Sequence, residues 1–134
     1  MQTLKIATAC FLNDKQELLV VRKKNTTAWM LPGGKLDAHE TAREALAREV
    51  QEELQIEVTA SALHFIGSFD AVAANEANTT VNAQAFMVHG PSPQAPSIAA
   101  EIAEMKWLPI NQAIPADVAP LLKDFIIPTL QAMH

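Results

Sequence analysis

The sequence predicts a mixed α/β or α+β domain, and three observations carry the prediction. Short runs rich in apolar and β-branched residues recur along the chain. One segment, Thr41 to Leu54, has the spacing of an amphipathic helix. Over 134 residues, 49% apolar and 19% charged, there is enough apolar material for one core without staples, so residues 1–134 are expected to form a single domain.

Taken in order, Leu4 to Leu12 reads as a strand ending at the turn-like Asn13-Asp14-Lys15, and Glu17 to Arg22 as the strand returning from that hairpin. Trp29-Met30-Leu31 is a short third piece, which Pro32-Gly33-Gly34 is expected to break. Thr41-Ala42-Arg43-Glu44 has the form of a capping box, because the threonine hydroxyl can accept from an orphan amide of the first turn. Ala42, Leu46, Val50 and Leu54 then recur every four residues and form the core-facing stripe. Glu57 to Phe69 and Thr79 to His89 read as two further strands joined by the polar stretch Asn75 to Asn78. The prolines of Pro91-Ser92-Pro93-Gln94-Ala95-Pro96 exclude a central strand and predict a surface loop. Ile102 to Leu108 is a last strand, and Val118 to Leu130 a last helix with Pro120 and Pro128 at its limits.

Composition narrows the chemistry. Fifteen acidic against ten basic residues give a formal net charge of −5, which argues against nucleic-acid polymers as partners. An acidic protein that handles phosphates needs a bound cation to reverse the local sign. No apolar stretch approaches the roughly 18 residues of a membrane span, and the opening MQTLKIATAC lacks the pattern of a secretion signal. The expectation is a cytoplasmic protein. The single cysteine, Cys10, sits in a strand-like run and reads as a buried thiol. His39, His64, His89 and His134 are scattered without metal-ligand spacing.

The acidic helix carries the functional signal. At about 100° per residue, Glu49, Glu52 and Glu53 fall within one arc about 100° wide, with Glu53 at the edge of the apolar stripe. Three like charges this close repel, and a carboxylate beside the core costs free energy unless it is paired. Arg48 can pair with Glu44 or Glu52, but one cation cannot compensate all of them. A divalent ion can, and hard oxygen ligands suit Mg²⁺ or Mn²⁺. Such a helix face taken alone is more often merely solvated, so its context decides.

That context is Gly34, five residues, Glu40, seven residues, then Arg48-Glu49-Val50-Gln51-Glu52-Glu53-Leu54-Gln55-Ile56. It closely resembles the Nudix box, G-x5-E-x7-R-E-U-x-E-E-x-G-U, with U a bulky aliphatic residue. Every specified position agrees except Gln55, which stands where the family has glycine. The resemblance implies an α/β/α sandwich with a mixed β-sheet, in which the box forms a catalytic loop-helix-loop. It implies Mg²⁺-dependent hydrolysis of a phosphoanhydride bond in a nucleoside diphosphate derivative. Glu49, Glu52, Glu53 and the Gly34 carbonyl would hold the metal, Arg48 would orient the carboxylates, and Glu40 would support the box. Glu53 or Glu52 is the first candidate to accept the proton of the attacking water. Glu101 is the second, with Glu104 as its neighbouring competitor. Gln55 puts in doubt the helix C-terminus, where glycine would relieve a left-handed backbone.

Family members acting on ADP-ribose carry a proline downstream of the box, and those acting on dinucleoside polyphosphates a tyrosine. Here no proline lies between Pro32 and Pro91, and tyrosine is absent from the chain. Both absences point to the MutT-like branch, which converts a nucleoside triphosphate to monophosphate and pyrophosphate. The substrate is then a small-molecule nucleotide, and the protein a monomer or homodimer. Base recognition needs a stacking surface and a few polar groups. Trp29, Phe69, Asn75, Glu76 and Asp117 are the candidates, although Trp29 and Phe69 also suit a core and Asp117 a helix cap. The alternatives are a hydrolase of another nucleoside diphosphate derivative (a nucleotide sugar or ADP-ribose) and a non-catalytic nucleotide-binding regulator. An intact carboxylate set argues against the regulator.

Overall fold

Two apolar clusters on opposite sides of one sheet organise the protein, and the computed structural model describes them over residues 2–74, 76–88 and 97–133. Asn75, His89, His134 and residues 91–96, where a surface loop was expected, lie outside the described residues. The strands are β1 (Gln2–Cys10), β2 (Glu17–Lys23), β3 (Gly33–Lys35), β4 (Leu63–Val72), β5 (Thr79–Val88) and β6 (Ile102–Pro109). Helix α1 spans Ala42–Leu54, and a π-helical segment, Leu121–Ile126, runs into α2, Ile127–Ala132.

The larger sheet has the order β3-β1-β5-β4, with β1 and β5 parallel and the other pairs antiparallel. Side chains alternate across β1 as a strand requires. Ala7, Ala9 and Phe11 join Leu46, Val50 and Leu54 of α1 in one cluster. Cys10 joins Leu122, Ile126, Ile127 and Leu130 of the C-terminal helical segment in the other. Helix, sheet and helix are therefore stacked as an α/β/α sandwich with a mixed sheet. Each fully buried leucine or valine of the α1 stripe contributes roughly 1.5–3 kcal/mol. Burial pushes the Cys10 thiol up to about 12, which suits it to packing and not to chemistry. No helix among the described residues is long and apolar enough to cross a membrane.

Four expectations need correction. The strands β1 and β2 do not form a regular hairpin: β2 pairs antiparallel with β6 in a second sheet, and β1 and β2 meet through the Leu12–Leu18 bridge and the Leu19 N–H donating to the Phe11 carbonyl. Both strands are apolar on both faces, so the pattern alone could not choose their partners. Pro32-Gly33-Gly34 does not end strand structure. Trp29 and Met30 make isolated bridges, and Gly33–Lys35 pairs with β1. Residues 57–62 are not strand, and β4 begins only at Leu63 after a 3₁₀ turn. The last helix starts later than Val118 and contains a π segment, in which the Ile127 N–H donates to the Leu122 carbonyl. Pro128 has no N–H for an α-type bond and its ring crowds the preceding turn, which accounts for the widened register.

Helix α1 matches the expected frame. Thr41 caps it, its hydroxyl accepting from the Glu44 N–H at 3.1 Å while the Glu44 carboxylate accepts from the Thr41 N–H at 2.9 Å. At the other end Gln55 adopts φ 56°, ψ 38°, the left-handed conformation that a side chain disfavours. Gln55→Gly is therefore expected to stabilise the protein by about 0.5–1 kcal/mol after allowing for the added freedom of the unfolded chain. A urea titration checks this, and an unchanged or lower midpoint contradicts it.

Candidate active site

The turn of α1 that ends in Leu54 presses its carboxylates against the glycine pair of β3. Glu53 is 4% exposed, and its Oε1 accepts from the Gly33 N–H at 3.0 Å. Its pKa is pushed up to about 7, first by burial and further by the charges of Glu49 and Glu101. The Gly33 N–H and Lys23 oppose the rise without cancelling it. Glu49 lies directly over Gly34: a Cβ placed there would sit 2.6 Å from the Glu49 carboxyl carbon. Only glycine leaves room for that carboxylate.

Arg48 holds the loop and helix together. Its Nε donates to one Glu40 oxygen and its Nη2 to the other, both at 2.9 Å. Its Nη1 donates to Glu49 at 2.8 Å, and its Nη2 also reaches the Lys35 carbonyl at 3.2 Å and Asp37 at 3.4 Å. The forked guanidinium makes this geometry possible. Bonding to Arg48, with help from the Asp37 N–H, holds Glu40 down to about 2. The expected Arg48 partner Glu44 is instead used in the capping box, and Glu52 is a distant partner at 3.8 Å. With 54% of its side chain exposed, Glu52 faces solvent.

A cleft of about 520 Å³ opens beside this cluster, within the usual range for a small-molecule site. Its polar and charged lining includes Lys23, Gly34, Lys35, Asp37, Glu49 and Glu101. Its apolar lining includes Leu4, Ile6, Val81, Leu121 and Leu122, and Glu76 and the buried Thr8 also line it. Of the candidate glutamates on β6 and its approach, Glu101 lines the cleft, whereas Glu104 is tied to Arg22.

The proposed base-binding residues are not brought together. Glu76 reaches the cleft, but Trp29, Phe69 and Asp117 do not line it. Trp29 is 7% exposed in the core, under the Lys106 ammonium at 4.2 Å from its ring, and Phe69 packs on Phe125. Asp117 occupies an exposed turn ahead of the helix, where its carbonyl accepts from the Trp29 N–H at 2.8 Å, and it caps nothing. Sequence reasoning missed Leu4, Ile6, Thr8 and Lys23. The available signal was the period of two on β1, which puts Leu4, Ile6 and Thr8 on one face with a hydroxyl among hydrocarbons.

The donor set suits a hard divalent cation. Glu53 is a carboxylate held out of water with one N–H for partner, and Glu49 fills a space kept open by a missing Cβ. Among the described residues no three His, Cys, Asp or Glu side chains converge into a cage. Mg²⁺ does not require one, because it keeps several waters and takes other oxygens from substrate phosphates.

Comparison with known proteins agrees with this geometry. The NUDIX domain family model matches residues 3–127. A Mycobacterium tuberculosis protein provisionally named 8-oxo-dGTP diphosphatase 2 is 39% identical over 104 residues, which are 70% of each chain. The MutT NUDIX hydrolase of Burkholderia pseudomallei superposes with a TM-score of 0.75 over 98% of both chains at 22% identity. A bifunctional NMN adenylyltransferase/ADP ribose pyrophosphatase from Francisella tularensis, complexed with AMP and a manganese ion, gives 0.69 at 20% identity, covering 98% of this chain and 42% of its own. The chain belongs to the Nudix family of hydrolases.

Proposed function

We propose that this protein hydrolyses a nucleoside triphosphate to the monophosphate and pyrophosphate, with 8-oxo-dGTP as the first substrate to test. The observation that carries the reading is the buried Glu53 carboxylate bonded to Gly33, next to a cleft lined by Glu49, by lysines and by aliphatic side chains. The charged lining suits phosphates with a cation, and the aliphatic lining suits a nucleoside. The name of the M. tuberculosis relative supports the choice of nucleotide.

Mg²⁺, or Mn²⁺ in its place, would be held by Glu49, Glu52, Glu53 and the Gly34 carbonyl, and when bound it neutralises phosphate oxygens and acidifies water. Arg48 fixes Glu49 and, through Glu40, the loop that carries Gly34. Lys23 and Lys35 bring positive charge to the cleft. Water attacks one phosphorus in line, the bond to the bridging oxygen breaks, and pyrophosphate leaves with the electron pair. Glu101, which lines the cleft, takes the water's proton, and Glu53 is left to the cation.

The test is a panel of triphosphates, nucleotide sugars and dinucleotides incubated with Mg²⁺, with and without chelator, and with products separated. The expected result is chelator-sensitive release of monophosphate plus pyrophosphate from a triphosphate. In the same assay Glu101→Gln lowers kcat about a hundredfold. Release of single phosphate, or turnover confined to nucleotide sugars, would overturn the substrate class, and undiminished kcat in Glu101→Gln would overturn the proton acceptor.

A further inference from the structure

The C-terminal turn of α1 and the approach to β6 are joined through the backbone. A helix leaves its last carbonyls without partners of its own. Two of them here are met by a segment far along the chain. The Ser97 N–H donates to the Leu54 carbonyl at 3.1 Å, and the Ala99 N–H to the Glu53 carbonyl at 2.9 Å. Glu53 is thus held twice, its carboxylate by the Gly33 N–H and its carbonyl by Ala99.

From that anchor the chain reverses in one tight turn. The Ile102 N–H donates to the Ala99 carbonyl at 3.1 Å, so Ala100 and Glu101 occupy the two central positions. Ala100 has φ 53°, in the left-handed region, whereas Glu101 has no positive φ. Such a turn favours glycine at its first central position, and alanine adopts it against a backbone preference. The conformation persists because both ends are fixed. Ala99 is tied to α1, and Ile102 is buried at the start of β6, where it pairs with Lys23. Between them the Glu101 carbonyl accepts from the Lys24 N–H at 2.7 Å. Glu101 lines the cleft from this turn.

We infer that left-handed Ala100, in a turn closed by Ile102 and fastened to Glu53, sets where the Glu101 carboxylate meets the attacking water. The inference rests on the reading of Glu101 as the proton acceptor. Ala100 touches no reacting atom and acts through Glu101, so it is a positioning residue. A proton acceptor must lie within hydrogen-bond distance of the proton it takes, and a displacement of about 1 Å can cost up to about a hundredfold in rate. A glutamate on a loose loop would sample many such displacements. The bonds from Ser97 and Ala99 place the acceptor and the carboxylates of α1 on one backbone frame.

Ala100→Val, Ala100→Gly, Glu101→Gln and the double variant Ala100→Val/Glu101→Gln test the inference, on whichever compound of the panel is hydrolysed fastest. A β-branched side chain strongly disfavours a left-handed backbone. Ala100 is exposed, so Ala100→Val acts through the backbone and not through a clash with a neighbour. It is expected to lower kcat about tenfold with KM within about twofold of wild type. Ala100→Gly adopts the same φ freely and keeps kcat within about twofold. In the Glu101→Gln background there is no acceptor to position, and Ala100→Val changes kcat by less than about twofold. A second readout needs neither metal nor turnover. In chelator, amide exchange followed by NMR should find the Ile102 N–H protected in wild type and Ala100→Gly and unprotected in Ala100→Val, with Val50 of α1 protected in all three. Ala100→Thr, also β-branched, stands in should Ala100→Val fail to fold. An equal loss of kcat in both backgrounds overturns the positioning role, as does an unchanged kcat or an unchanged Ile102 amide in Ala100→Val. Wild-type kcat in Glu101→Gln, or no turnover of any compound, overturns the proton-acceptor reading and this inference with it.

Discussion

Replacing Glu53 with glutamine is expected to lower kcat by on the order of 10²–10³ while making the metal-free protein more stable at alkaline pH. The two effects have one origin. In the folded protein Glu53 titrates near 7, against 4.5 for a free side chain, because burial opposes its charge. Below pH 4.5 the group is protonated in both folded and unfolded chains, and its stabilising contribution is fully present. As pH rises toward 7 the unfolded chain releases the proton first, and stability falls. Above pH 7 the loss is complete, at up to about 3 kcal/mol from a difference of 2.5 between 7 and 4.5. Glutamine keeps an oxygen for the Gly33 N–H but carries no charge. Urea unfolding in chelator should therefore show Glu53→Gln stabilised at pH 8 and little changed at pH 4.5. Adding Mg²⁺ should raise the midpoint of the wild type and much less that of the variant. A variant that is less stable than wild type at pH 8, or that keeps wild-type turnover, would contradict the assignment.

The features of the site that could be read from the chain are those set by helical geometry. The α1 stripe, the capping box at Thr41 and the position of Glu53 beside the core depend on spacings within one element, and each is found where the spacing puts it. Even Gln55, the departure from the box, occupies the left-handed position at which glycine was expected. What was not legible depends on which strands meet. The pattern of β1 and β2 is apolar on both faces, so it does not say that β1 pairs with β5 while β2 pairs with β6. The cleft wall is assembled from β1, β5 and the C-terminal helical segment, far apart in the chain. Trp29 illustrates the consequence. It was a reasonable base-stacking candidate from its place before the glycine pair, yet the isolated bridge to Val118 turns it into the core. The residues that do line the cleft wall are ordinary aliphatics, which nothing in the sequence distinguishes from packing.

The adjacent glycines of β3 should separate stability from function when each is changed to alanine. Gly33 has φ +141°, a conformation that side chains rarely adopt, and a Cβ there would lie 2.0 Å from the Ala7 carbonyl oxygen. That oxygen belongs to the backbone of a central strand and cannot move without breaking the pairing of β1 with β3 or β5. Gly33→Ala should therefore cost about 3 kcal/mol or more, enough to leave much of the chain unfolded at 37 °C. Gly34 differs in what surrounds it: the three atoms nearest its Cβ, at 2.6–2.8 Å, all belong to the Glu49 carboxylate, the far end of a flexible side chain. Glu49 can swing away at a cost of about 1 kcal/mol or less, giving up its bond to Arg48 as it goes. Gly34→Ala should thus unfold near the wild-type midpoint while losing Mn²⁺ affinity and about a hundredfold in turnover. Denaturation curves, Mn²⁺ titration followed by electron paramagnetic resonance, and steady-state rates on the two variants distinguish the roles. Equal destabilisation by both substitutions would make Gly34 a structural glycine like its neighbour. Full metal affinity in Gly34→Ala would remove Glu49 from the proposed ligand set.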